Sequence, residues 1–225
     1  YGTVNRISPE APVPVFEAGD IHVMPGMASN VHENLKSLGC TVNFLTGKQS
    51  IKTRLIDSRS NQHLLRIDND VISDALEFFT EIPPFYDAVV VSDYDKGLVS
   101  YELLEEIDKT FPGFIFVDTK KQDLSRFKRT FFKINSTEFA RLKTLPPDGN
   151  LIVTMGKHGA MWDGRKYDAP EIPITDVCGA GDTFLASLVY KYLLTKNMDA
   201  SIAFAIRASS VTVQHVGVYA PCLLY

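Results

Sequence analysis

The 225-residue chain carries 23 lysines and arginines against 27 aspartates and glutamates, with 45% apolar and 22% charged residues. That balance suits a folded globular protein. It excludes a broad basic field for nucleic acid or an anionic membrane, and it excludes a chain too polar to build a core. No apolar run approaches the roughly 18 to 20 residues that span a bilayer. The polar opening Tyr1-Gly2-Thr3-Val4-Asn5-Arg6 is neither a signal peptide nor an initiator start, which predicts a processed chain or a fragment. Cys40, Cys178 and Cys222 are widely spaced, odd in number and without a CxxC pair. They read as reduced, mostly buried thiols of a cytoplasmic protein.

The first elements are extended. Pro9, Pro12 and Pro14 interrupt the alternation around Val13-Pro14-Val15-Phe16, predicting an edge strand or projecting ribbon. From Ala28 the period changes: Val31, Leu35 and Leu38 recur at helical spacing and Gly39 closes the segment as a C-cap. Residues 52–68 alternate again and read as a hairpin or two short strands. Asp87-Ala88-Val89-Val90-Val91-Ser92 is a short apolar run, the pattern of a strand buried on both faces. A helix over 100–109 follows, with Ser100 as N-cap and Leu103, Leu104 and Ile107 inward. Strands are predicted at 114–117, 131–134 and 151–154, with a short helix over 137–142 before the last. Asp163-Gly164 marks a hairpin turn. Helices over 181–194 and 199–215 end the pattern. Strand and helix alternate as in an α/β domain with a mainly parallel sheet.

Such a sheet places ligands beyond the carboxyl ends of its strands. The polar residues there are Asp93, Tyr94, Asp95 and Lys96, then Asp118 and Lys120, then Asn135 and Glu138, then Gly156, Lys157 and Gly159. Loops are polar in any case, so the shared address carries more than any single member.

Asp176-Val177-Cys178-Gly179-Ala180-Gly181-Asp182-Thr183 precedes the last helical pattern but one. Small residues there leave backbone amides bare at a helix start, an anion site for a phosphate or a developing negative charge. Asp182 has two readings. It is either a carboxylate stabilising the first turn, worth under about 1 kcal/mol, or a general base beside the anion site.

Residues 176–182 resemble the Asp-x-x-Gly-Ala-Gly-Asp signature of the PfkB (ribokinase-like) sugar kinases. Gly26-Met27-Ala28-Ser29-Asn30-Val31 is similar to their Gly-Gly-x-x-x-Asn signature, Asn135-Ser136-Thr137-Glu138 to Asn-x-x-Glu, and Val153-Thr154-Met155-Gly156-Lys157-His158-Gly159 to Val-Thr-x-Gly-x-x-Gly. Three further segments, 6–15, 61–68 and 92–97, resemble the D-glycero-β-D-manno-heptose-7-phosphate 1-kinase branch.

The resemblance implies a ribokinase-like three-layer α/β sandwich with a mainly parallel sheet. Residues 1–225 would form one kinase domain, with 1–25 and 52–68 as a small β lid that pairs across a homodimer. It implies transfer of the γ-phosphoryl group of ATP, with Mg²⁺, to a hydroxyl of a sugar or sugar phosphate, and no nucleic-acid or membrane partner. Asp182 would be the base, and the amides of Gly179, Ala180 and Gly181 would stabilise the moving phosphoryl group. Asn135, Glu138, Thr154, Gly156 and Gly159 would bind the nucleotide, Glu138 also meeting Mg²⁺ through water. Asn30, Gly26, Asp93 and Lys96 would face the sugar, and Lys96 or Arg54 its existing phosphate.

The chain also departs from the family. It opens after the family's first strand, and residues 46–50 bridge where a strand, a loop and a helix normally stand, so one βα unit is missing. Met27 replaces a glycine close to the sugar, Cys178 replaces the usual threonine, and Ile206-Arg207-Ala208 replaces a small-residue run with an asparagine. Another PfkB-type sugar kinase, or a catalytically degenerate sugar- or nucleotide-binding relative, stays open on these grounds.

Overall fold

The computed structural model describes residues 1–76 and 82–221, which form two compact units. The smaller unit comprises Tyr1–Met24 and Gly47–Ser73 and the larger comprises Pro25–Thr46 and Asp74–Tyr225.

In the smaller unit β1 (Gly2–Ile7) pairs antiparallel with β2 (Pro14–Ala18), and β3 (Ile51–Ile56) with β4 (His63–Asn69). These are the ribbon and hairpin expected from the alternation. The turn after β3 is tied by Asp57, whose carboxylate accepts from the Ser60 amide at 3.0 Å and the Ser60 hydroxyl at 2.7 Å. Every residue of β4 is exposed, including Leu64, Leu65 and Ile67.

The larger unit opens with α1 (Ala28–Ser37). It closes as the sequence predicts. Gly39 takes φ 85°, and the Cys40 amide reaches back to the Leu35 carbonyl, a Schellman end. Then come β5 (Ala88–Asp93), α2 (Tyr101–Thr110), β6 (Phe114–Thr119), β7 (Thr130–Asn135), α3 (Ser136–Phe139) and β8 (Leu151–Thr154). A hairpin of β9 (Ala160–Trp162) and β10 (Arg165–Tyr167) precedes two long helices, α4 (Ala180–Thr195) and α5 (Met198–Thr212). The sheet is six-stranded in the order β10-β9-β8-β7-β6-β5. β5 to β8 run parallel, and the hairpin adds two antiparallel strands at the far edge.

Alternate side chains of the central strands feed two cores. Phe116 and Ile152 pack with Val31 and Leu35 of α1, Leu185 and Leu188 of α4, and Ile202 of α5. Ile115, Val117 and Phe132 pack on the other face with Leu104 and Ile107 of α2. Helix, sheet, helix: the alternation predicts the α/β domain with its mainly parallel sheet, and the layering is the sandwich that the resemblance implies. The α2 layer is pinned through buried Asp108, whose carboxylate accepts from the Lys128 and Arg129 amides, both at 3.0 Å, and from the Thr130 hydroxyl at 2.8 Å.

Two expectations need correction. The apolar run at β5 is half-buried up to Ser92 rather than buried on both faces, because among the described residues β5 is the edge of the sheet and pairs on one side only. The helix expected over 137–142 is a single turn, Ser136–Phe139, since its Asn135/Glu138 capping box organises one turn and no long apolar face continues it. Cys40 and Cys178 are free thiols, half-buried, and burial pushes the Cys40 thiol up. Cys222 lies outside the described residues. Among the described residues no helix is long and apolar enough to cross a membrane.

Candidate active site

The start of α4 is the centre of the site. Gly179, its N-cap, takes φ 76°, and a Cβ there would stand 2.7 Å from Asn30 Nδ2 and 2.8 Å from Val218 Cγ1. Only glycine satisfies both the left-handed backbone and the close approach. The preceding turn is fixed by Asp176, whose two carboxylate oxygens accept from the Cys178 amide and the Gly217 amide, each at 2.9 Å. Asp182 follows inside the first helical turn and is buried.

Asp182 is held from both sides. Asn30 Nδ2 donates to its Oδ2 at 2.9 Å and the Tyr94 hydroxyl to its Oδ1 at 3.2 Å. Burial pushes its pKa up to about 6, reinforced by the Asp118 charge and opposed by the Asn30 and Tyr94 hydrogen bonds and by Lys133. Removal from water outweighs the two hydrogen bonds and the lysine together. A carboxylate tuned this close to neutral pH suits proton acceptance better than a surface cap does.

Asp182 opens onto a cavity of about 270 Å³ lined from the carboxyl ends of the sheet strands: Asp93, the last residue of β5, and Tyr94 after it, Asp118 of β6, and Lys133 and Asn135 of β7. Lys120, Glu138, Gly179 and Gly181 complete the wall. Lys133 lies deep in it, its Nζ 2.6 Å from Asp118 Oδ2 and 3.1 Å from where a Cβ on Gly181 would stand. Burial alone would push the Lys133 ammonium down, but the Asp118 carboxylate more than offsets this and raises it. Lys133 therefore stays charged beside the start of α4, where Gly179 and Gly181 line the cavity while Ala180 lies outside the lining and its amide donates to the Val177 carbonyl at 3.4 Å. The Lys120 Nζ lies 5.0 Å over the Tyr94 ring and supplies a second positive group.

Of the residues expected in the site, Asp182, Gly179, Gly181, Asn135, Glu138 and Asp93 line this cavity. Asn30 lies behind Asp182, fully buried, with its oxygen accepting from Asn34 Nδ2 at 3.0 Å. Asp93 is committed within the fold: its Oδ2 accepts from the Thr119 hydroxyl at 2.7 Å and meets Lys121 Nζ at 3.2 Å, and its Oδ1 accepts from the Asp95 amide at 2.8 Å. Asn135 and Glu138 cap each other's backbone amides, at 2.9 and 2.8 Å. Burial raises the Glu138 carboxyl above its ordinary value, with Asn135's amide opposing.

Thr154 donates to the Ile134 carbonyl at 3.2 Å, and with Gly156, Gly159, Gly26 and Lys96 it lies outside the cavity lining. Gly159 is needed for the chain path: at φ 86° its Cβ would stand 1.9 Å from the Tyr167 carbonyl oxygen. Lys133 is the residue that sequence reading missed. Its only signal was a lysine inside the apolar strand Phe131-Phe132-Lys133-Ile134.

Met27 sits at φ 54°, ψ −132°, a conformation that belongs to glycine and costs a side-chain-bearing residue about 1–3 kcal/mol. Met27→Gly should therefore raise stability by about 1 kcal/mol once the added freedom of the unfolded chain is subtracted. A urea midpoint checks this, and an unchanged or lower midpoint would remove the strain.

Among the described residues no group of three or more histidines, cysteines, aspartates and glutamates is arranged to hold a metal directly. The oxygen donors present on the cavity wall, Asn135 and Glu138 beside Asp118, fit a hard cation met through water.

The fold is ribokinase-like. A ribokinase from Thermotoga maritima superposes with a TM-score of 0.68 over 96% of this chain and 90% of its own, at 15% identity. Phosphofructokinase-2 from Escherichia coli does so at 0.63 over 98% and 90%, at 16% identity. Residues 132–223 match the model of the pfkB family carbohydrate kinases. The bifunctional protein HldE of Nitratiruptor is 28% identical over 273 positions, covering 96% of this chain and 59% of its own length, and HldE of Helicobacter pylori is 28% identical over 279, covering 96% and 60%. The chain thus spans about 60% of the curated relatives it matches, and the alignments are longer than the chain itself because the relatives carry residues it lacks. The motif resemblance points the same way as these matches: the fold is ribokinase-like, and the C-terminal part of the chain is similar to the pfkB family carbohydrate kinases.

Proposed function

We propose that the protein transfers the γ-phosphoryl group of ATP to a hydroxyl of a sugar phosphate, D-glycero-β-D-manno-heptose 7-phosphate at its 1-hydroxyl being the best-supported acceptor, and that it works in the cytoplasm. The observation that carries the reading is a buried carboxylate, Asp182, with its pKa raised to about 6, placed in the first turn of α4 beside Lys133 in one cavity. Asp182 takes the proton of the acceptor hydroxyl as that oxygen bonds to the γ-phosphorus. The bond from phosphorus to the bridging oxygen breaks, and ADP leaves with the electron pair. Amides of Gly179, Ala180 and Gly181 meet the charge on the equatorial oxygens, and Lys133 neutralises it from the strand side. Asn135 and Glu138 would hold Mg²⁺ through water, which when bound neutralises nucleotide phosphates.

The heptose assignment rests on the resemblance of the three segments 6–15, 61–68 and 92–97. The smaller unit is taken as the substrate lid, and its exposed Leu64, Leu65 and Ile67 suit a lid-to-lid homodimer. The experiment is ADP release on a panel of sugars and sugar phosphates that includes heptose 7-phosphate. Release confined to the heptose supports the assignment, and release on another sugar moves it within the family. No release on any acceptor favours the degenerate-relative reading, for which the strained Met27 speaks.

A further inference from the structure

We infer that Tyr94 and Asn30 form a two-point clamp on Asp182, which holds the carboxylate in place and keeps it ionised, so that both are positioning residues for the base. The inference rests on the kinase reading above and goes past it, since the resemblance assigns Asn30 to the sugar and gives Tyr94 no role.

The geometry separates the two donors. Each carboxylate oxygen has its own: Asn30 Nδ2 on Oδ2 at 2.9 Å, from α1, and the Tyr94 hydroxyl on Oδ1 at 3.2 Å, from the loop after β5. Asn30 is itself fixed, because Asn34 Nδ2 donates to both its backbone and side-chain oxygens at 2.8 and 3.0 Å. That polarity is unambiguous: Asn30 must present its NH₂ group to Asp182. Tyr94 is fixed too. Burial, then the neighbouring Asp182 and Asp118 charges, push its hydroxyl far above the usual phenol range, so it stays protonated and donates to the Asp182 carboxylate. Its role toward Asp182 is orientation and charge stabilisation.

Burial disfavours the charged form of Asp182, whereas two hydrogen bonds favour it. The other groups facing Asp182 are Asp118 of β6, which opposes ionisation, and Lys133 of β7, which favours it; Asp93, Lys120 and Glu138 line the same cavity. Without the clamp the base would be protonated over more of the neutral range.

The test is Tyr94→Phe, which removes one oxygen and keeps the ring. The acid limb of kcat/KM should move upward by about half to one pH unit. With the wild-type base at about 6, the ratio of mutant to wild-type kcat/KM should accordingly fall about two- to fivefold between pH 8.5 and pH 6, with the loss in kcat rather than in ATP Kd. Asn30→Ser, acting through the other oxygen, should move the limb in the same direction. A merely structural ring at 94 would leave the limb where wild type has it, and that result overturns the clamp. Should wild type turn over no acceptor, the kinase reading fails, and the clamp is read instead from the Asp182 carboxyl titration by carbon-13 NMR. A titration unmoved by Tyr94→Phe overturns it there as well.

Discussion

Replacing Asp182 by asparagine is expected to lower kcat at least a hundredfold while changing ATP Kd by less than about fivefold. A positioned base contributes to the transition state far more than to ground-state nucleotide binding, and its loss typically costs about 10² to 10⁴ in rate. The amide keeps the size and a hydrogen-bond acceptor, so α4 should still start at Ala180. Stability should move the other way. The pKa of Asp182 is about 6 in the fold, above the ordinary value of 3.8. Its contribution to stability is thus fully present below pH 4 and lost as pH rises through 6. At pH 8 the buried carboxylate works against folding by roughly 1–3 kcal/mol. Asp182→Asn should therefore melt at or above wild type at pH 8 and lose that advantage near pH 4. Sugar-dependent ADP release beside thermal melts at the two pH values decides it. A variant that turns over at wild-type speed removes Asp182 from the base role, and one that melts lower at pH 8 shows that its hydrogen bonds outweigh its burial.

Lys133→Met carries the second large effect. Lys133 and Asp118 form an ion pair whose side chains are 6% and 15% exposed. Removing one member of such a pair leaves an uncompensated charge and destabilises by about 3–5 kcal/mol. Lys133→Met should therefore shift the denaturant midpoint strongly downward. Adding Asp118→Asn should recover most of that loss, because no buried charge is then left alone. Turnover should not recover with it: a cation aimed at the transferring phosphoryl group is worth on the order of 10²-fold or more. The double variant separates the two roles. If it is stable and turns over like wild type, Lys133 is a structural cation only. If the single variant unfolds no earlier than wild type, the pair is solvated and the argument from burial fails.

The sequence alone determined the α/β order, the parallel sheet and the place of the anion loop, because each depends on local signals. Val31, Leu35 and Leu38 at helical spacing with Gly39 behind them leave little freedom for α1. Four strand ends with polar residues after apolar runs define one edge of a sheet wherever the intervening chain goes. Gly179, Ala180 and Gly181 before a helical pattern are an anion site in any fold that buries that helix. Only the tertiary structure decided what Asp182 is, since its pKa depends on burial under α1 and on donors from 152 and 88 residues away in the chain. For the same reason Lys133 looked like one charged interruption of a strand until packing placed its Nζ against Asp118 and Gly181. β5 shows the limit from the other direction. Its apolar run reads as buried on both faces, yet whether a strand lies inside or at the edge of a sheet depends on its neighbours and not on its own side chains.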